Sequence, residues 1–177
     1  MRNAIRYFLR DEHGSASIEF AIVFPAVMVL FLSVVEIGYL ATRYVLLERG
    51  LDMASRDLRL GREPPPGVDA HTYIKDRICQ FSTLGGCEDN LLVELREFDA
   101  DADFPQNQPT CINRNAEVQV DPLDNFIPGA AGEIMFIRAC FLTAPLIPGL
   151  GFGLSMPLAE SGGYQMVAFT AFMNEPN

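Results

Sequence analysis

The chain has no tryptophan, one lysine (Lys75) and two histidines, His13 and His71. Thirteen Lys+Arg against 23 Asp+Glu give a net charge of -10, so no basic stripe is available to neutralise phosphates and nucleic-acid binding is not expected. Imidazole is equally scarce. His13 falls in a leader-like segment, which leaves His71 as the candidate base, and no G-x-S-x-G elbow accompanies it. There is no P-loop, and Gly149-Leu150-Gly151-Phe152-Gly153 lacks the sixth-position glycine and strand-to-helix context of a dinucleotide loop. These absences argue against an enzyme, a cofactor and a small-molecule substrate. The negative surface instead favours a soluble head that repels anionic lipid.

No C-x-x-C pair occurs among the four cysteines, Cys79, Cys87, Cys111 and Cys140, and none lies beside an apolar run where a lipoprotein anchor requires one. With the histidines far apart as well, two disulfides are expected in place of a zinc site, which suits an extracytoplasmic domain. Three pairings are open to four cysteines. The pairing of Cys79 with Cys87 is favoured because Gly85-Gly86 between them can turn the chain, which leaves Cys111 for Cys140; free buried thiols are the alternative. Asp99, Asp101 and Asp103 resemble the first ligands of a calcium loop. The sixth and twelfth positions are Phe104 and Thr110 in place of Gly and Glu, so a solvated acidic loop is expected and no metal.

What the chain does have is a long apolar run near its N-terminus. Residues 1–14, MRNAIRYFLRDEHG, carry Arg2, Arg6 and Arg10 against Asp11 and Glu12, a weak positive bias that favours a cytoplasmic start. From Phe20 to Val35 no residue is charged, and Ile18 to Ala41 is apolar except for Glu19 and Glu36 near its two ends, either of which can reach the interface if the hydrocarbon core lies between them. That length meets the roughly 20 residues a membrane helix needs. A secretory cleavage site would put small residues before the cut, whereas the run ends in Tyr39-Leu40-Ala41. A retained span, Phe20 to Ala41, is therefore expected, with the C-terminal head outside the cytoplasm.

Gly14 followed by Ser15-Ala16-Ser17-Ile18-Glu19-Phe20 and the apolar helix resembles a prepilin-peptidase site, and the wider run GSASIEFAIVFPAVMVLFLSVVEIGYLATRY, with Pro25 and Glu36, is similar to the TadE-like minor pilins of tight-adherence (Flp-type) pili. FIRACFLTAPLIPGLG and the ending TAFMNEPN are similar to the C-terminal half of such pilins, whereas residues 90–132 match no pattern. The resemblance implies cleavage after Gly14, methylation of the new N-terminus at Ser15, and a glutamate, Glu19, at the fifth mature position. It also implies a prepilin peptidase, a major pilin, other minor pilins and an assembly platform as partners, and an adhesion role. Independently of it, Ser15 and Glu19 stand i and i+4 on one helical face, so a new ammonium would lie close to a carboxylate that is expensive at membrane depth unless paired.

Beyond the anchor, residues 42–61 read as an amphipathic helix through Val45, Leu46, Met53, Ala54 and Leu58. A single helix from Ser15 to about Leu60 would be about 69 Å long, over twice the bilayer core. Pro25 is expected to bend it and Gly50 to weaken it. Residues 62–68 read as a proline-rich linker and 69–177 as a disulfide-containing head. In the head, Asp69 is placed to cap a helix running to about Phe81, and strands are expected at 91–98, 116–120, 134–142 and 164–173. The expected fold is α+β: a long N-terminal helix with a small antiparallel sheet, as in type IV pilins. Two rival functions fit the same anchor: a signal-anchored extracytoplasmic binding or sensing domain, and a pseudopilin of a type II-like secretion system.

Overall fold

The computed structural model describes residues 15–62, 64–98, 109, 111–115, 126–127, 129–130, 132–148, 158–159 and 162–175. Gly14, the acidic run 99–103, the strand expected at 116–120 and the glycines at 149–153 lie outside the described residues.

Helix α1, Ser15–Arg59, is one 45-residue element that continues through both Pro25 and Gly50. Pro25 has no amide hydrogen to give the carbonyl four residues earlier, a loss that the rest of a long ladder tolerates. The helix ends where the sequence changes character. Gly61 takes φ 62°, its amide reaches the carbonyl of Leu58 at 2.9 Å, and the amide of Arg62 reaches that of Asp57 at 3.1 Å. This paired closure satisfies the last carbonyls and needs the left-handed conformation that glycine adopts without strain.

The prolines at 64–66 lead to helix α2, Ala70–Ser82, capped as its sequence predicts: Asp69 accepts from the Thr72 amide at 2.9 Å and from its hydroxyl at 2.6 Å. A turn through Gly85 and Gly86 feeds a four-residue helix, α3, Cys87–Asn90, which the sequence pattern does not announce. Three antiparallel strands follow: β1, Leu91–Glu97; β2, Ile134–Thr143; and β3, Tyr164–Met173, in the spatial order β1-β2-β3. The expected α+β arrangement is therefore the one observed, a long helix packed on a three-stranded antiparallel sheet.

Period-two alternation sets the core face of that sheet. Leu91, Val93 and Leu95, then Met135, Ile137, Ala139 and Phe141, then Tyr164, Met166 and Ala168 are buried together with Ile74 and Ile78 of α2. Helix α1 contributes Leu40, Leu47, Leu51 and Ala54, all within its later part, at the three- and four-residue spacing of one helical stripe. On the opposite face, Glu94 and Arg138 stand directly across β1 and β2 and form a buried ion pair, Arg138 Nε to Glu94 Oε2 at 2.8 Å.

Gly50 does something other than weaken α1. A Cβ placed there would lie 2.7 Å from the carbonyl oxygen of Ile78 and 2.8 Å from Cβ of Ser82, so its missing side chain is what lets α1 and α2 approach. Near that crossing Asp57, buried in the interface, accepts from Arg77 Nε at 2.9 Å and Nη2 at 2.6 Å and pairs with Arg62 at 3.0 Å. A carboxylate facing two guanidiniums is a well-compensated buried charge.

Candidate functional site

The candidate surface is α1, and it falls into two parts by burial. From Ala16 to Val35 no residue is fully buried, and Ile18, Phe20, Ile22, Leu30, Phe31 and Val34 are all more than half exposed. These 20 residues rise about 30 Å, the thickness of a bilayer's hydrocarbon core. So large a continuous apolar surface is unfavourable in water and marks contact with lipid or protein. The helix is long and apolar enough to cross a membrane, and its most apolar stretch has none of its residues buried inside the protein.

The second part begins at Glu36. Glu36, within the span expected from Phe20 to Ala41, is 1% exposed. Its Oε1 accepts from the amide of Leu146 at 3.0 Å and its Oε2 from the amide of Ile147 at 3.1 Å. The segment that follows β2, Ala144-Pro145-Leu146-Ile147-Pro148, thus presents two adjacent N–H groups to both oxygens of one carboxylate. Charge-assisted bonds of this kind offset the desolvation of a buried anion. Tyr164, fully buried at the start of β3, has its phenol pushed above the ordinary tyrosine range, first by burial and then by the negative charge of Glu36.

Of the other residues singled out in the sequence, Ser15 opens α1 and Glu19 is exposed one turn later. Phe20 is exposed and lies against Phe24, ring centroids 5.1 Å apart. Pro25 lies within the uncovered part. The cysteines pair as Cys79–Cys87, across the glycine turn, and Cys111–Cys140, which ties residue 111 to the middle of β2. His71 is buried against Phe126, edge to face at 5.3 Å. Among the described residues no group of three or more His, Cys, Asp or Glu is placed to hold a metal ion.

Sequence reasoning missed the partner of Glu36 and the role of Arg43. The guanidinium of Arg43 lies over the rings of Tyr39 and Phe141, 5.3 and 5.1 Å from their centroids, and donates to the Tyr39 hydroxyl and to the Gly85 carbonyl at 3.5 Å. Tyr39 and Arg43 at i and i+4 were legible as neighbours; Phe141 and Gly85 were not, because they arrive from distant sequence.

The family model for TadE-like protein matches residues 14–56. No curated protein and no solved structure matches the chain. The matched segment starts one residue before α1 and takes in all of the uncovered helix and most of the stripe that carries the head. Over residues 14–56 the chain is similar to the TadE-like family, and the sheet-bearing head lies beyond the matched segment.

Proposed function

We propose that the protein is a minor pilin or pseudopilin of a tight-adherence pilus, cut by a prepilin peptidase between Gly14 and Ser15 and held in the inner membrane by the uncovered part of α1. The observation that carries this reading is the division of one continuous helix. About 30 Å of exposed apolar surface, directly after the residue at which the TadE-like match begins, passes into a half that bears a disulfide-bonded head.

In this reading the exposed surface serves twice: it rests in lipid first and packs on other pilin helices later. Lipid-facing and helix-facing surfaces can be the same because apolar side chains lose little on exchanging lipid for a packed neighbour. After cleavage the ammonium of Ser15 sits within a helical turn of Glu19, and its own or a neighbouring subunit's N-terminus neutralises that carboxylate. The head remains periplasmic, where its disulfides persist. The prepilin peptidase, the major pilin, other minor pilins and the assembly platform are the partners of this role, and no catalysis is assigned to the chain.

Mass spectrometry of the protein isolated from membranes tests it. The reading expects an N-terminus at Ser15 and accumulation of the uncut chain for Gly14→Ala. A chain that keeps Met1, or Gly14→Ala processed like wild type, would favour a signal-anchored binding domain instead.

A further inference from the structure

At the membrane end of the head a groove of about 510 Å³ runs between α1 and the turn that joins α2 to α3, walled by Val35, Gly38 and Leu46 and closed on one side by Leu146. We propose that this groove holds one phospholipid of the surrounding leaflet, its acyl chain against Val35 and Leu146 and its phosphate diester at the guanidinium of Arg43. The proposal rests on the membrane reading of α1 given above and adds a ligand to it.

Height along the helix is the first argument. Val35 closes the unbroken uncovered stretch of α1, with Ile37 still exposed beyond the buried Glu36, and the Arg43 guanidinium bonds the hydroxyl of Tyr39, four residues above Val35. Helical side chains lean toward the N-terminus, so the charge sits near the level of Tyr39, about 6 Å above Val35. The headgroup layer adds about 5 to 7 Å on each side of the hydrocarbon core. Cation and lipid phosphate therefore share one depth, and the groove below them continues the apolar surface that α1 already presents.

Charge is the second. Arg43, like Arg49, Arg56 and Arg114, has no carboxylate within ion-pair distance among the described residues, and of these it is the one that lines the groove. Two aromatic rings, the Tyr39 hydroxyl and the Gly85 carbonyl hold its guanidinium in place and Nε is buried, so the second N–H groups of Nη1 and Nη2 are the donors left for an anion. The nearby carboxylate of Glu36 is taken by the amides of Leu146 and Ile147. In a chain of net charge -10, a fixed cation at headgroup depth complements a phosphate. The third argument is shape: a Cβ at Gly38 would meet nothing within 4 Å, so the wall of the groove is open at that point.

Native mass spectrometry of the full-length protein, purified in detergent and stripped of lipid, tests the proposal with three probes: phosphatidylglycerol, a diacylglycerol with the same chains, and inorganic phosphate. One phosphatidylglycerol should bind per chain, and the other two probes at least tenfold more weakly. Arg43→Gln and Gly38→Leu should each weaken phosphatidylglycerol binding at least tenfold. A Cβ at position 38 meets nothing within 4 Å, so Gly38→Leu decides the matter if Arg43→Gln does not fold. Equal binding of diacylglycerol, unchanged binding by Gly38→Leu, or a dimer that excludes lipid would overturn the proposal, the last by giving the groove to a second copy. Carbonate extraction of wild-type membranes separates the two readings. Release of the chain overturns the membrane reading, while a retained chain whose groove ignores phosphatidylglycerol overturns only this one.

Discussion

The carboxylate of Glu36 accepts the backbone amide of Leu146 at 3.0 Å, joining α1 to the loop after β2 across 110 positions of sequence. Before this contact no residue of α1 from Ala16 to Val35 is buried, and after it the head packs on the helix. Replacing Glu36 by Gln keeps an acceptor for one amide and removes the charge. Hydrogen bonds to charged groups contribute about 1.5 to 3 kcal/mol and neutral ones about 1, so Glu36→Gln should lower stability by about 1 to 2 kcal/mol. Hydrogen exchange read by mass spectrometry should show faster exchange at Leu146 and Ile147; unchanged protection there would mean the clasp does not hold the loop.

The same carboxylate bears on pH. Burial, and then the charge of Glu36, raises the Tyr164 phenol above its ordinary value of about 10. Between those two values the folded chain holds a proton that the unfolded chain has lost, so stability falls as pH rises. The contribution is complete below about pH 10 and disappears as pH climbs from there through the folded value. Tyr164→Phe should flatten the alkaline limb of a stability profile above pH 10. Identical alkaline slopes for the two proteins would remove Tyr164 from the account.

Gly50 gives a test in which two effects oppose each other. In a helix interior, alanine is favoured over glycine by about 1 kcal/mol. The close approach of Ile78 and Ser82 leaves no room for a methyl group, and overpacking costs about 1 to 3 kcal/mol. Gly50→Ala should therefore destabilise the protein in thermal unfolding, whereas a raised melting temperature would show that α1 and α2 can separate at little cost.

The two disulfides should differ in worth. Cys111–Cys140 spans 29 positions and Cys79–Cys87 spans 8, and the chain-entropy relation gives about 3.6 and about 2.5 kcal/mol for loops of these lengths. The Cys111→Ser/Cys140→Ser pair should lower the denaturant midpoint more than Cys79→Ser/Cys87→Ser. Steady-state abundance should also drop in cells lacking a periplasmic oxidase. A larger loss from the short bridge would reverse the ranking.

Features decided by neighbours in sequence were legible. Asp69 caps α2 because a short acceptor precedes a periodic apolar run, and β1, β2 and β3 fall within a residue of the segments rich in β-branched and aromatic side chains. The glycine pair at 85–86 pointed to the Cys79–Cys87 bridge for the same reason. Features decided by distant sequence were not. Glu36 looks like an interfacial carboxylate until residues 146 and 147 come to it, and Gly50 looks like a weak point until α2 crosses there. The four-residue α3 is too short for a periodic signal. Of the site, the long apolar helix could be read, but where the head begins to pack on it could not, because that contact is made by distant sequence.

Single-cysteine accessibility tests the division of α1 most directly, since the four native cysteines are all paired. Cysteines placed one at a time at Val27, Phe31 and Asp52, all exposed positions, can be treated in spheroplasts with a membrane-impermeant maleimide. The account predicts labelling at position 52 and protection at 27 and 31. Labelling of all three to the same extent would contradict it.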